Sequence, residues 1–289
     1  MIVRSAHGPR MRNGQCSSTT MGVSTMSDYE RNVAASPFGQ AIGRAGSVAV
    51  DEGLRAYMLR IYNYMVLGLA ITGAAALGTY MLSVTTDPSI AALKMRDGLM
   101  LTAFGKALFA SPLKWVVIFA PLALVFVLSF AIERMRPAMA QLMFWIYAAL
   151  VGISLASIFM VFTHTSIVRV FFITAASFGA LSLWGYTTQR DLTGMGSFLL
   201  MGLFGIILAS LINLFMASSA LQFAISVIGV LVFAGLTAWD TQRLKTEYLY
   251  GAMDGETTER SAIIGALSLY LNFINLFTLL LQLLGQRDE

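Results

Sequence analysis

Asp240 is the residue of this chain best placed to do chemistry. It follows the apolar run Val227 to Trp239, so it lies at or just inside the end of a membrane-spanning helix. A carboxylate there is costly and is normally paired, protonated or turned to an aqueous cavity. It reads either as a proton or cation site, or as an interfacial carboxylate pairing with Arg243 or Lys245 at the helix end. A second group of residues sits on the last apolar stretch, Ala262 to Gly285, which contains no charge. There Ser268, Asn272 and Asn275 recur at spacings of four and three, and Gln282 returns to the same helical face two turns later. Lipid offers an amide no partner, so this stripe turns toward other helices or water. It either lines a pathway or glues helices together at about 0.6–2 kcal/mol per bond. Arg134 and Arg136 form the third group, placed by the topology on the same side of the membrane as Asp240. They are counter-charges or ordinary positive-inside signals.

Other chemistries lack material. Cys16 is the single cysteine, and His7 and His164 are far apart, so neither a disulfide nor a zinc cluster is expected. His164 falls in a short loop on the side opposite Asp240. No phosphate-binding glycine loop, H-E-x-x-H or nucleophile elbow is present, and no enzyme or cofactor is expected. The formal charge of +4 comes from cations scattered through the tail and loops, which argues against nucleic acid.

The elements that must position these residues are membrane helices. Hydrophobic residues make up 57% of the 289 and charged ones 12%, where a soluble domain carries about a quarter charged residues. The mean hydropathy is +0.73, and the apolar runs are continuous rather than alternating, which excludes a barrel. The expectation is an all-α polytopic membrane protein with seven transmembrane helices. The spans are placed near 58–82, 114–132, 140–162, 167–186, 197–216, 221–243 and 262–285. Gly68, Thr72 and Ala76 on the first span are small residues at four-residue spacing, which invites close helix approach. An amphipathic piece is expected around Leu93 to Leu108, and a charged loop from Lys245 to Arg260. Residues 1–50 read as a disordered cytoplasmic tail, with 1–25 lying upstream of a natural start at Met26; residues 51–289 form the membrane domain. Lys and Arg near span ends number nine on the N-terminal side against six on the other, which puts the N-terminus inside.

Three stretches carry a family resemblance. Gly185-Tyr-Thr-Thr-Gln-Arg-Asp-Leu, Asp240-Thr-Gln-Arg-Leu-Lys and Leu267-Ser-Leu-Tyr-Leu-Asn-Phe-Ile-Asn-Leu-Phe together resemble the Bax inhibitor-1 family in its bacterial YccA-like branch, over roughly residues 55–286. The resemblance implies a bacterial inner-membrane protein of seven helices, the C-terminal one enclosed by the other six. It implies a pH-sensitive Ca2+ leak gated by two buried aspartates and an arginine counter-charge at the end of the second helix. Asp240 matches the first aspartate, and Arg134, with Arg136 as the alternative, matches the arginine. Asn272 stands where the family carries the second aspartate. Two carboxylates can share a proton and so form a switch; an aspartate beside an asparagine has one titrating site fewer. Asn272 can instead donate its amide to Asp240.

The expected gate and ion pathway is Asp240, Asn272, Arg134 and Asn275, with Arg136, Arg243 and Asp191 as further candidates. One carboxylate and a neutral amide make at best a weak Ca2+ site, since calcium prefers several hard oxygens. The resemblance also implies the competing role of bacterial relatives, modulation of a membrane-bound ATP-dependent AAA protease of the FtsH type. Loss of the second aspartate costs a channel more than it costs a binder. The expected partners are therefore the lipid bilayer, Ca2+ and such a protease.

Overall fold

The computed structural model describes residues 37–94, 100–131, 135–251 and 255–288, with side chains from residue 51 onward apart from those of Lys94 and Ser129. The chain divides into two units, Met1–Asp51 and Glu52–Glu289. The helices are α1 (Pro37–Ser83), the short α2 (Ala103–Gly105), α3 (Leu113–Ala131), α4 (Pro137–Leu155), the short α5 (Ile158–Val161), α6 (His164–Thr187), α7 (Thr193–Met216), α8 (Ser219–Tyr250) and α9 (Gly255–Leu284). Between α1 and α2, three two-residue strands form an antiparallel sheet of order β1 (Val84–Thr85), β3 (Met100–Leu101), β2 (Leu93–Lys94). A π-helical turn, Lys106–Ala110, follows α2.

Six helices are long and apolar enough to cross a membrane, and a seventh span results if the pair Ala103–Ala110 and Leu113–Leu128, bent by 64°, counts as one. The molecule is an all-α polytopic membrane protein. Local signals set the helix ends. Pro137 occupies the first turn of α4, where its missing N–H is no loss. The Thr163 and Ser218 hydroxyls accept from Ser166 N and Leu221 N to cap α6 and α8. α7 ends on Ala217 in the left-handed region, φ 49°, while Asn213 Oδ1 takes the next N–H, that of Ser218, at 3.0 Å.

The C-terminal helix is the interior one. In its most apolar 18-residue window 61% of positions are buried, against 39% or fewer in every other span of the described residues. α9 packs chiefly on α8, then on α6 and α4, and α8 in turn packs on α7 and α6. Tyr270, fully buried on α9, meets Phe144 and Tyr147 of α4 edge-on. Its hydroxyl bonds Thr72 Oγ1 of α1 at 2.6 Å, and Thr72 also donates toward the carbonyls of Gly68 and Ala148. The small-residue stripe of α1 is used as its spacing implies: Gly152 of α4 faces the Thr72 backbone where a Cβ would collide with its carbonyl.

Several local expectations need correction. Residues 37–50 are helical in backbone, as the first part of α1. The piece around Leu93 to Leu108 is not one amphipathic helix but strands, a turn of helix and the π-helical turn. The third span is interrupted at 156–157, after Leu155. The loop from Lys245 to Arg260 is largely helix, because nothing breaks α8 until Gly251 and α9 begins at Gly255.

Candidate functional site

The extension of α8 changes the setting of Asp240. Ten residues of helix follow it, so it sits within α8 rather than at its end, with 4% of its surface exposed. Such a carboxylate needs partners, and it has three. Asn272 Nδ2 of α9 donates to Asp240 Oδ2 at 2.7 Å, and Ser268 Oγ, one turn earlier on α9, donates to the same oxygen at 2.8 Å. Arg243 Nη2, one turn on along α8, approaches Oδ1 at 2.9 Å. The Arg243 side chain is 42% exposed and lies over the Trp239 ring, 5.0 Å from its centroid. Both carboxylate oxygens are thus engaged in a clasp joining α8 to α9.

The backbone around the clasp is pressed close. Gly185 of α6 faces the Ala238 carbonyl with no room for a Cβ, which brings α6 onto α8 one half-turn before Asp240. Next to Asp240, the buried Thr241 hydroxyl donates to Thr237 O at 2.8 Å and bonds Ser182 Oγ of α6 at 2.8 Å. Ser182 continues the chain to the Tyr62 hydroxyl of α1. Gln242 fastens the α6–α7 loop: its Nε2 donates to Arg190 O at 2.7 Å and its Oε1 accepts from Leu192 N at 2.9 Å. Lys245 donates to Tyr186 O at 2.9 Å and sits over the Tyr186 ring. The 185–192 and 240–245 motifs are therefore in contact with each other. Thr241, Ser182, Tyr62 and Gln242 are absent from the expected site list, although Gln242 and Thr241 lie inside a quoted motif.

The other expected residues scatter. Asn275 Nδ2 donates to Leu271 O of its own helix at 2.8 Å and does not join Asp240. Asp191 is exposed in the α6–α7 loop, where hydrogen bonds from the Thr193 side chain and N–H hold its carboxyl below the usual range. Arg136 is exposed just ahead of α4. Arg134 lies outside the described residues.

Gln282 belongs to a second polar cluster near the opposite end of the α8–α9 pair. Its Oε1 accepts from Gln222 Nε2 at 2.7 Å and Ser226 Oγ at 3.0 Å, both of α8, and Gln222 Oε1 accepts from Asn213 Nδ2 of α7 at 2.9 Å. Ser226 and Asp240 are fourteen residues apart, about 21 Å along the helix. The stretch between them is mostly apolar: Leu199 of α7, Val232, Phe233 and Leu236 of α8, and Leu276 and Leu279 of α9 form one buried cluster, while Thr237, Asn275 and Thr278 turn their polar atoms to their own helix backbones. The polar face of α9 is thus split into two separated hydrogen-bonded ends. No group of three or more Asp, Glu, His or Cys side chains suited to a metal occurs among the described residues.

Residues 54–289 match the family described as "Inhibitor of apoptosis-promoting Bax1". The chain is 46% identical to the uncharacterized protein RP147 of Rickettsia prowazekii over 83% of its own length and 93% of that protein. It is 44% identical to an uncharacterized protein of Caulobacter vibrioides, covering 91% and 100% of the two chains. With the inner membrane protein YbhL of Escherichia coli it shares 43% identity over 81% and 93%. With the motif residues meeting around Asp240 and the match spanning the whole helical region, the chain belongs to the Bax inhibitor-1 family.

Proposed function

We propose that this protein is a pH-sensitive cation leak of the bacterial inner membrane, with Ca2+ as its cargo and the Asp240–Asn272 clasp as its gate. The observation that carries the reading is a buried carboxylate held across the α8–α9 interface by neutral donors from α9 and a half-exposed arginine from α8. Both Asp240 oxygens are engaged and the stretch beyond is mostly apolar, which supports reading the gate as shut at rest. Protonation removes the charge that Arg243 and the two α9 donors hold, so acid loosens α9 from α8. A cation can then meet Asp240 only as Arg243 moves away, since Ca2+ competes for the same oxygens. Asn272 leaves a single titrating group in the clasp and a weaker, more monotonic pH response than two carboxylates would give.

The experiment is Ca2+ flux into proteoliposomes across pH 5 to 8. Wild type is expected to leak more as pH falls, and Asp240→Asn to leak at a rate independent of pH. His164→Gln serves as a control, because His164 is exposed and stacks with Tyr80 and Phe159, away from the clasp. Flux no greater than that of empty vesicles at every pH overturns the leak.

A second reading has its own support. The apolar stretch between the two polar clusters and the replacement of an aspartate by Asn272 suit a protein that does not conduct. On that reading it modulates a membrane-bound ATP-dependent protease. Crosslinking in native membranes that recovers such a protease, with silent proteoliposomes, selects it.

A further inference from the structure

A cavity of about 330 Å³ lies between α1, α5, α6 and α9, and neither Asp240 nor its three partners line it. Its wall is almost wholly apolar: Leu69 and Ala76 of α1, Phe171 and Phe172 of α6, and Phe273 and Phe277 of α9 are representative. The only polar side chain in the wall, Thr72, is already bonded to Gly68 O, Ala148 O and the Tyr270 hydroxyl. A water needs two to four polar partners, so the cavity is dry or holds hydrocarbon; a dry cavity of about 150 Å³ already accepts benzene. Its mouth is flanked by exposed Gly73, Val168 and Phe172, within spans whose surroundings are lipid tails.

We propose that this cavity is a lipid site that takes one acyl chain of an anionic bilayer phospholipid, laid between α1 and α6 and reaching α9. The occupant follows from three features. The mouth opens to the bilayer, where acyl chains are the abundant apolar species. The wall offers no free hydrogen-bonding group, so a polar or ring-substituted ligand gains nothing over hydrocarbon. The cavity runs toward the α5–α6 corner, lined there by Ile158, Phe159 and Ile167. That corner lies at the end of the bundle carrying Lys106, Lys114, Arg169 and Arg287 against Asp87 and Asp288 among the described residues. Arg169, exposed on α6 beside Val168, is placed for the phosphate of the headgroup. Through this site the bilayer reaches the middle of the largely buried α9.

Gly73 provides the test. A Cβ there meets no atom within 4 Å, so a longer side chain fills the mouth without displacing the fold. The full-length protein is reconstituted with phosphatidylglycerol carrying a photoactivatable diazirine near the end of one acyl chain, irradiated, digested and mapped by mass spectrometry. The expected result is labelling of Phe273 to Phe277 and Ile167 to Phe172. In Gly73→Leu the α9 label is lost while the label on the lipid-facing side of α7, around Phe204 and Phe215, persists. Gly73→Met repeats the test with a more flexible side chain should Gly73→Leu not fold. An α9 label at background in wild type, or one unchanged in both variants, overturns the site. Labelling of α9 by a free diazirine fatty acid but not by the phospholipid overturns the assignment to a phospholipid. Arg169→Gln is expected to lose the preference for phosphatidylglycerol over a phosphatidylcholine probe; equal labelling by the two probes in wild type overturns the role of Arg169.

Discussion

Asn272 Nδ2 lies 2.7 Å from Asp240 Oδ2, the one buried amide–carboxylate bond joining α9 to α8 among the described residues. An asparagine fits that place because it donates without adding charge. Substituting Asn272→Asp puts a second carboxylate against the first, and the two coexist only by sharing a proton. The folded variant then binds more protons than its unfolded chain, so its stability falls as pH rises. Thermal unfolding in detergent should show Asn272→Asp losing melting temperature from pH 5 to pH 8 relative to wild type. Parallel curves for the two proteins would contradict this.

The apolar stretch between the two polar ends should limit flux. Leu276 is 1% exposed in that cluster, and Leu276→Ala removes its packing at about 2–5 kcal/mol. The expected outcome is a lower melting temperature together with faster Ca2+ entry at pH 7. A destabilised variant as tight as wild type would place the barrier elsewhere.

Backbone approaches make a sharp contrast among glycines. A Cβ at Gly152 collides with the Thr72 carbonyl, and one at Gly185 with that of Ala238, whereas a Cβ at Gly179 meets nothing within 4 Å. Gly152→Ala and Gly185→Ala should each lose about 2 kcal/mol or more, since two helix backbones must part. Gly179→Ala should gain stability by up to about 1 kcal/mol from helix propensity. Denaturation in mixed micelles measures all three.

Two exposed loop carboxylates are held below their ordinary range. Hydrogen bonds donated by the Ser89 N–H and hydroxyl lower the Asp87 carboxyl, as those from Thr193 lower Asp191. A depressed carboxyl stabilises the fold above its unfolded value, about 3.8, and that contribution disappears as pH drops through the lower folded value. The double variant Asp87→Asn, Asp191→Asn should therefore leave the pH 5 to 8 profile of both stability and flux unchanged. A flattened flux profile in this variant would move the pH response out of the clasp and into the loops.

Composition and run length carried the membrane architecture, because a span needs little more than some 20 apolar residues. The enclosure of the last helix was also legible, since Ser268 and Asn272 need partners that lipid cannot give. Helix ends were harder. Charge after Asp240 reads as a loop, yet Arg243, Lys245 and Glu247 are good helix formers, and α8 continues through them to Tyr250. Periodicity put Asn275 and Gln282 on the same face as Asn272, but it does not say which neighbour each residue meets. Asn275 turned back to its own backbone, and Gln282 met Gln222 and Ser226. The hydroxyl chain Tyr62–Ser182–Thr241 gives no sequence signal, because its members come from three helices.

The split polar face of α9 has an electrical meaning. Arg243 of α8 at one end and Gln282 of α9 at the other are exposed, while between them the two helices meet mostly through hydrocarbon side chains. On the proposed reading, the part of a transmembrane voltage that falls between the two polar ends falls across about 21 Å of mostly apolar packing. Every charge crossing it gains or loses about 2.3 kcal/mol per 100 mV over a fraction of the membrane thickness. If charge crosses there as proposed, the α8–α9 pair acts as the dielectric of a capacitor, and the energised state of the membrane biases the crossing.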